Sequence, residues 1–489
     1  MNAYARILEW PIQPDDSAGL ALWTAGEIAA ATGGTPSADF QAAGTDIDSR
    51  DVGEGDLFFA LKGDAMDGHV FVDAAIAKGA AAAIVDRPIA APHVLVEDTS
   101  SALEMLAKVA RNRAEARIIG VTGSVGKTGV KEAIFAALDR SSRGRAHRSV
   151  KSYNNHVGVP LSLTRMSARA KFGVFEMGMN HAGEIRGLTA LVRPHVAVIT
   201  TIAPAHIEML GSEEAIADAK AEIFEGLEPG GVAIIPADSP HHARLKEAAE
   251  KYAGAVVSFG RAAHSDVRLL DAVPAPGGGS LVTADMGDRR ICYTVAAPGD
   301  HWIVNSLAVI AAVRAAGGDL GAAGLALAEM EGLKGRGERH TIAASGGDGS
   351  GTALVIDESY NANPASMRAT LAQLGATPAR RRIAVLGAMK ELGSHGPAFH
   401  AQLIEPIATA QIDRLFLVGD EMQALADELG KDPGAALGKA IPFDHCRTAG
   451  EARDALTRFG VEGGDALLIK GSNSVGLGAL VAALTKQEG

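Results

Sequence analysis

A seven-residue loop, TGSVGKT at Thr122–Thr128, constrains the fold of this chain more than any other sequence feature. It lies between an apolar run at 117–121 and a segment, opened by Lys127, whose apolar residues recur at helical spacing. A strand, a glycine-rich loop and a helix in this order form a cradle for a phosphate group. The order therefore predicts an α/β domain that binds a nucleoside triphosphate.

The residue types in the loop suit this role. Gly123 and Gly126 can adopt positive φ, which lets successive backbone N–H groups turn toward a phosphate. Lys127 supplies a positive charge beside the helix N-terminus, and the Thr128 hydroxyl can bind magnesium. The loop departs from the pattern GxxxxGK[ST] only at Val121, which stands where the first glycine would be. A glycine-rich turn that binds nothing is the alternative, and the flanking strand and helix argue against it.

Length and charge limit the possible classes of protein. A chain of 489 residues is too long for one ordinary core and indicates about three domains. The formal charge of −12 argues against nucleic acid or an anionic membrane as the main partner, since both require a basic face.

The N-terminus and the cysteines indicate a cytoplasmic chain. Acidic residues and prolines near the start do not resemble a signal peptide, and no apolar run reaches transmembrane length. Cys292 and Cys446 form no CxxC pair, which fits a reducing compartment, and we expect each to be a small buried residue.

Alternating strand-like and helix-like segments divide the chain into three predicted domains, 1–112, 113–334 and 335–489. This alternation favours mostly parallel, doubly wound sheets. The glycines of Gly332–Gly337 predict a hinge or linker before the third domain. Besides the run at 117–121, the predicted strands are Asp56–Leu61, Ala82–Val85, His93–Val96, Gly173–Phe175, Val196–Thr200, Ala353–Ile356, Ile383–Leu386, Leu415–Val418 and Ala466–Ile469.

Two residues that follow central strands are candidates for metal binding. Glu176 ends an apolar run, and a carboxylate at the carboxyl end of a strand near the loop is well placed to hold magnesium beside Thr128. His206 follows the strand at 196–200 and could be either a ligand or a structural residue.

Lys220 is predicted to point toward the core. The segment 215–227 places apolar residues on one helical face, and Lys220 lies on that same face. A buried lysine costs several kcal/mol unless it is paired, modified or deprotonated. A side chain that extends its ammonium to water is one explanation, and an amine that has reacted with carbon dioxide to form a carbamate is another.

The third predicted domain has two polar loops after strands. DESYNANP at 357–364 follows one strand, and turn chemistry explains the proline and one asparagine but not the second asparagine, the tyrosine or the acids. KGSNS at 470–474 ends another strand and opens a helix, which is a plausible place for an anionic group.

Together these segments resemble the Mur ligases of peptidoglycan precursor synthesis. TGSVGKT is followed in the order of that family by NNHVGVPLSL, FEMGMN, APAHIE and DAKAEIF, and DSR at Asp48–Arg50 precedes it. YNANP, VLGAMKELG and KGSNS are similar to the branch that adds D-alanyl-D-alanine. The DNPR segment of the branch that adds the third amino acid is missing.

The resemblance implies a small N-terminal α/β domain for a uridine nucleotide, a central P-loop-type ATPase domain with a mostly parallel sheet, and a C-terminal Rossmann-like α/β domain. It implies an ADP-forming ligase that adds D-alanyl-D-alanine to UDP-N-acetylmuramoyl-tripeptide through an acyl phosphate. Such an enzyme would act as a cytoplasmic monomer in cell-wall biogenesis, and thereby in cell shape and cell division.

The resemblance also implies a role for each matching residue. The expected ATP-binding residues are Thr122, Gly123, Ser124, Val125, Gly126, Lys127, Thr128, His301, Asn305 and Arg336. The expected substrate-binding residues are Ser49, Arg50, Asn154, Asn155, Tyr360, Asn361 and Asn363. Thr128 and Glu176 would bind one magnesium ion, and His206 with a carbamylated Lys220 would bind a second. Lys127, Lys220 and His206 would be the catalytic residues.

Some positions depart from the family pattern, and two alternatives stay open. Asn473 replaces an arginine of the family, which leaves recognition of the dipeptide carboxylate open, and Ala388 and Lys390 differ within VLGAMKELG.

Another Mur-type or folylpolyglutamate-type ligase is one alternative function, although YNANP argues against it. An ATP-switched binding protein is the other, and it would not need Glu176, His206 and Lys220 together.

Overall fold

The computed structural model of the protein describes residues 21–63, 66–205, 207–276, 278–330, 332–344, 351–431 and 440–486. Over these residues the backbone forms three large sheets in chain order and one small two-stranded sheet. Most strand pairs in the large sheets are parallel, which confirms the predicted α/β fold class.

The first sheet has five strands, and its strand pairs are parallel except at one edge. Its buried strands are short apolar runs, as predicted for a sheet covered on both faces. The elements of this part of the chain are β1 (Trp23–Thr24), α1 (Ala25–Thr32), β2 (Thr35–Pro36), β3 (Gln41–Ala42), β4 (Gly44–Asp46), β5 (Asp56–Phe59), α2 (Val72–Ala77), β6 (Ala82–Val85), β7 (His93–Leu95) and α3 (Thr99–Arg113). Strands β1 and β3 form the two-stranded sheet, and the other five form the first large sheet.

The central sheet has nine strands in the order β16-β15-β14-β13-β12-β11-β8-β10-β9. The elements are β8 (Arg117–Thr122), α4 (Lys127–Ser142), β9 (Ala146–Arg148), α5 (Gly158–Thr164), β10 (Phe172–Glu176), α6 (Glu184–Val192), β11 (Val196–Ile199), α7 (Ile207–Leu210), α8 (Glu213–Ala221), β12 (Val232–Pro236), α9 (His242–Glu250), β13 (Ala255–Gly260), β14 (Val267–Pro274), β15 (Ser280–Asp285), β16 (Arg290–Val295), α10 (Asp300–Ala315) and α11 (Leu320–Ala328).

This sheet is doubly wound around β8. Helices α4, α10 and α11 pack on one face, and α5, α6, α8 and α9 pack on the other. The chain crosses to β10 on one side of β8 and then to β11 on the other, so β8 lies at a topological switch point. Ligands of such sheets bind at the carboxyl ends of the strands beside that point.

The third sheet has six strands in the order β17-β18-β22-β19-β20-β21, and only its β17–β18 pair is antiparallel. The elements are β17 (Glu338–Ala343), β18 (Thr352–Glu358), α12 (Pro364–Ala376), β19 (Arg382–Gly387), α13 (Gly396–Ala401), α14 (Ile404–Thr409), β20 (Arg414–Val418), α15 (Gln423–Lys431), β21 (Phe443–Cys446), α16 (Ala449–Phe459), β22 (Ala466–Lys470) and α17 (Leu477–Thr485).

The structure changes three details of the sequence-based description. The helix predicted over 215–227 ends at Ala221, and a 3-10 helix, Glu222–Gly226, follows it. Cys446 is buried as expected, but Cys292 is exposed, because it lies on the face of the edge strand β16 opposite the buried Tyr293 and Val295. Strands β14 to β16 form an antiparallel extension that the apolar runs did not predict.

The predicted hinge at 332–337 is in part bound to the third sheet. Gly335 N donates to Asp357 Oδ2 at 3.0 Å, and Gly337 N donates to Asp357 O at 2.8 Å. Because Asp357 belongs to β18, this turn is attached to the third domain, and a hinge would have to precede Gly335. Among the described residues, no helix combines the length and the apolar composition that crossing a bilayer requires.

Candidate active site

The loop after β8 owes its shape to two glycines. Gly123 and Gly126 have φ values of 146° and 86°, which confirms the predicted positive φ at both positions. A Cβ atom on Gly123 would lie 2.0 Å from Thr200 Oγ1, and one on Gly126 would lie 2.9 Å from Asn305 Nδ2. Only glycine therefore fits between the loop and these neighbours.

Hydrogen bonds fix the loop to the segment that follows β11. Ser124 N donates to Thr201 O at 2.8 Å, and Ser124 Oγ donates to Ala203 O at 2.9 Å. Thr200 Oγ1 donates to Val125 O at 2.6 Å. The phosphate loop is thus fixed in position by its neighbours, and such preorganisation favours anion binding.

The hydroxyl at the end of the loop meets a buried carboxylate. Thr128 Oγ1 donates to Glu176 Oε2 at 2.8 Å, and Asn154 Nδ2 donates to Glu176 Oε1 at 2.8 Å. Glu176 pairs with Val121 in the parallel register of β10 and β8, which places it beside the start of the loop. Asn155 points elsewhere, since its Oδ1 accepts from Gly158 N at 2.9 Å at the start of α5.

Two lysines of the central domain have lowered pKa values. Lys127 Nζ donates to Gly123 O at 2.8 Å, and burial lowers the pKa of Lys127 although Glu176 opposes the change. Lys220, in α8, is buried as the sequence predicted, and burial followed by the charge of Lys127 holds its pKa well below the ordinary value of lysine. His206 lies outside the described residues.

Helix α10 borders the loop on the opposite side. Asn305 is buried there and contacts the loop near Gly126, as its predicted role in nucleotide binding requires. His301 lies one turn earlier, and burial lowers its pKa to about 4, with Lys470 as the second cause. The imidazole is therefore neutral near pH 7 and can accept or donate a hydrogen bond without carrying charge.

Arg336 connects the third domain to the phosphate loop. Its Cζ atom lies 4.2 Å from the ring centroid of Tyr360, and its Nη2 donates to Ser152 Oγ at 3.2 Å. Ser152 Oγ in turn lies 3.4 Å from Thr128 Oγ1. The structure thus brings two predicted residues of the third domain, Arg336 and Tyr360, to the site built around β8.

The two asparagines of YNANP have different surroundings. Asn363 is the N-cap of α12 and accepts from Ser366 N at 2.9 Å, so it is the asparagine that turn chemistry explains. Asn361 is exposed, and its carbonyl oxygen accepts from Lys470 Nζ at 3.0 Å.

The predicted uridine-nucleotide residues lie at the surface of the first domain. Arg50 is exposed, and its Nη2 donates to Asp48 Oδ2 at 2.7 Å, while Ser49 is half-buried. The neighbouring Asp51 accepts from Lys151 Nζ at 2.5 Å, which links this surface to the central domain.

Three family models match successive parts of the chain. They are the Mur ligase family catalytic domain at residues 42–117, the Mur ligase middle domain at 121–313, and the Mur ligase glutamate ligase domain at 344–473. A UDP-N-acetylmuramoyl-tripeptide–D-alanyl-D-alanine ligase of Synechocystis sp. is 37% identical over 447 residues, which are 89% of this chain and 90% of that protein. The chain belongs to the Mur ligase family.

Solved structures of other Mur ligases share this architecture. A crystal structure of MurF from Acinetobacter baumannii has a TM-score of 0.79 and 30% identity, and covers 95% of this chain and 99% of its own. A structure of MurF from Thermotoga maritima in complex with ADP has a TM-score of 0.70 and 26% identity, and the match covers 91% of this chain and 97% of that one. The three-domain Mur ligase fold predicted from the sequence is therefore confirmed.

Several residues of this Mur ligase site were not predicted individually. Trp302 packs so close to α4 that a Cβ atom on Gly129 would lie 2.6 Å from its Cη2. Thr200 was predicted only as the last residue of a strand, and Lys470 only as part of KGSNS. Lys131 could have been singled out from the sequence, since it lies one turn after Lys127 on the helix that begins at the loop.

Proposed function

We propose that this Mur ligase adds D-alanyl-D-alanine to UDP-N-acetylmuramoyl-tripeptide, with conversion of ATP to ADP and phosphate. The meeting of Lys127, Thr128 and Glu176 at the carboxyl ends of β8 and β10 carries the proposal. Relatives named for this activity match the chain over most of its length, which supports the choice of substrates.

The site fits a nucleoside triphosphate and magnesium. The glycine loop would offer backbone N–H groups to phosphate oxygens, and Lys127 can exchange its bond to Gly123 O for one to a phosphate. The Thr128 hydroxyl and the Glu176 carboxylate are hard oxygen donors of the kind magnesium prefers. When bound, the ion would neutralise the charge that develops between the β- and γ-phosphates.

We further propose that Lys220 is carbamylated. Its lowered pKa favours the neutral amine, which forms an N–C bond to carbon dioxide and loses one proton. The resulting anion would be attracted to the positive charge of Lys127, whereas a protonated Lys220 would be repelled by it. It would offer two oxygens to a second magnesium ion, with His206 as the proposed partner ligand.

The arrangement suits carboxylate activation. The tripeptide carboxylate would attack the γ-phosphorus of ATP, the bond to ADP would break, and an acyl phosphate would form. The amine of D-alanyl-D-alanine would then attack the acyl carbon, lose a proton and displace phosphate through a tetrahedral intermediate. Lys127 would offset the repulsion between the two anions, and Arg336, which joins the third domain to Ser152, would help to exclude water from the acyl phosphate.

We also propose domain limits at 1–112, 113–334 and 335–489, a cytoplasmic compartment and a monomer. The succession of three sheets along the chain supports the domain limits. A reaction that consumes ATP and a uridine-nucleotide substrate supports the compartment, and the monomer stays a prediction.

Product mass is the test of the proposed function. We expect the uridine-nucleotide product to gain the mass of D-alanyl-D-alanine minus one water when ATP and magnesium are present. A gain with a single amino acid and not with the dipeptide would assign the chain to another ligation step. ATP binding with no product from any acceptor would favour a nucleotide-dependent switch.

A further inference from the structure

Lys131 is a buried cation that the proposed reaction does not use. Its side chain is fully buried in α4, one turn after Lys127. Its Nζ donates to Ser149 O at 2.8 Å and to Lys151 O at 2.9 Å, and lies 2.8 Å from Glu132 Oε1. Three partners match the three protons of an ammonium group, and they offset the penalty of burying its charge.

The two carbonyl groups belong to a turn of uncommon geometry between β9 and α5. Lys151 has a φ of 52°, in the left-handed region that favours glycine. A non-glycine residue stays in this region only where its surroundings hold it there, and the bond from Lys131 to the Lys151 carbonyl does so. On the other side, Ser149 N donates to Val174 O at 3.0 Å, and Ser149 Oγ accepts from Glu176 N at 3.2 Å.

The same turn carries side chains that reach several parts of the active site. Ser152 lies beside the threonine hydroxyl that ends the phosphate loop. Asn154 donates to the carboxylate of Glu176. Lys151 Nζ bonds Asp51 of the first domain, next to the predicted uridine-nucleotide residues. The position of this turn therefore affects both the phosphate loop and the contact with the first domain.

We propose that Lys131 is a positioning residue for ligation, a role that rests on the proposed function. Its ammonium group fixes residues 149–154 so that Ser152 and Asn154 meet Thr128 and Glu176. It acts through backbone carbonyls and does not touch substrate. Removal of this ammonium group should therefore make residues 149–154 more mobile even in the ligand-free protein, where no reaction takes place.

Amide hydrogen exchange of the ligand-free protein tests the first step. In Lys131→Gln, we expect the amides of 149–156 to exchange about tenfold faster than in the wild type. Arg111→Gln is the matched control, because Arg111 is also a buried cation whose Nε and Nη2 donate to Val192 O at 2.7 Å and Arg193 O at 2.8 Å. Those carbonyls precede β11 at the amino end of the sheet, so exchange at 149–156 should not change in the control.

Kinetics and thermal unfolding test the second step. In Lys131→Gln, we expect the magnesium concentration for half-maximal rate and the KM for the uridine-nucleotide substrate each to rise about tenfold. Lys131→Arg keeps a donor for both carbonyls and should restore most of the loss. Arg111→Gln should lower the unfolding temperature while both kinetic parameters stay at wild-type values. If Lys131→Gln does not fold, Lys131→Met, which keeps a long unbranched side chain but cannot donate to the two carbonyls, replaces it in the exchange and kinetic measurements, with the same expected results.

Three outcomes would overturn the positioning role. These are unchanged exchange at 149–156, equal acceleration there in the Arg111→Gln control, and faster exchange with wild-type kinetic parameters. A wild-type protein that makes no ligated product would instead refute the proposed function, and the exchange experiment separates the two because it uses no substrate.

Discussion

Thr128 Oγ1 and Glu176 Oε2 form a hydrogen bond of 2.8 Å between residues that are 48 positions apart in the chain. They meet because β8 and β10 are adjacent parallel strands, whose carboxyl ends lie at one edge of the sheet. The second oxygen of the buried Glu176 carboxylate accepts from Asn154, so both oxygens have fixed directions. Oxygen donors held in this way beside a glycine loop would suit a magnesium ion bound together with the nucleotide.

Replacement of Lys127 should abolish turnover but preserve binding of the uridine nucleotide. We expect Lys127→Ala to reduce kcat about 1000-fold, because the cation that offsets repulsion between the carboxylate and the γ-phosphate is lost. Calorimetric titration with the uridine-nucleotide substrate should give a Kd close to that of the wild type. Normal turnover by this variant would remove Lys127 from the reaction.

Neutralisation of Glu176 should raise the requirement for magnesium. Glu176→Gln keeps an acceptor for Thr128 but removes the charge, so the magnesium concentration for half-maximal rate should rise at least ~10-fold. Glu225→Gln is a suitable control, since Glu225 bonds Arg186 on the surface of the same domain. An equal magnesium dependence in the two variants would contradict the assignment.

Replacement of Lys220 should remove activity but raise thermal stability. In the folded chain burial lowers the pKa of Lys220, so the unfolded chain binds a proton that the folded chain does not. The free energy of unfolding therefore decreases as pH falls from the ordinary value of 10.5 toward the lowered folded pKa. In buffer free of carbon dioxide, Lys220→Met should be inactive yet unfold at a higher temperature than the wild type at pH 7.

Small carboxylates test the carbamate itself. We expect acetate or formate to restore part of the activity of Lys220→Ala, because they supply the missing anionic oxygens. Ordinary activity of Lys220→Ala without any additive would show that no carbamate is needed.

Arg336 should act through its planar group rather than its charge alone. Lysine at this position keeps the charge but cannot both stack on Tyr360 and donate to Ser152, so Arg336→Lys should lower kcat/KM for ATP about tenfold. Tyr360→Phe keeps the stacking and should stay near the wild-type value. Steady-state kinetics at saturating tripeptide substrate compare the two, and equal losses would indicate that the tyrosine hydroxyl carries the effect.

The parts of the site that follow from strand ends were predictable from sequence. The apolar run before Glu176 and the one before the glycine loop placed both at the same sheet edge, and the helical spacing around Lys220 indicated its burial. These predictions rest on periodicity and on the rule for parallel sheets, which act over short stretches of chain.

The rest depended on contacts between distant segments. The left-handed backbone at Lys151 is held by Lys131 from another element, and no property of Lys151 itself indicates it. The contact of Arg336 with Ser152 depends on how two domains pack, which periodicity does not determine. Strands β14 to β16 are partly exposed and lack the continuous apolar runs of buried parallel strands, so they did not stand out in the sequence.

Release of phosphate from ATP in the presence of magnesium is the measurement that tests the central claim most directly. It is made with UDP-N-acetylmuramoyl-tripeptide alone, with D-alanyl-D-alanine alone, and with both. We predict sustained release only when both substrates are present, because the acyl phosphate formed from the tripeptide turns over only when the dipeptide amine attacks it. Equal release with and without the dipeptide, or no release with both substrates present, would contradict the assignment.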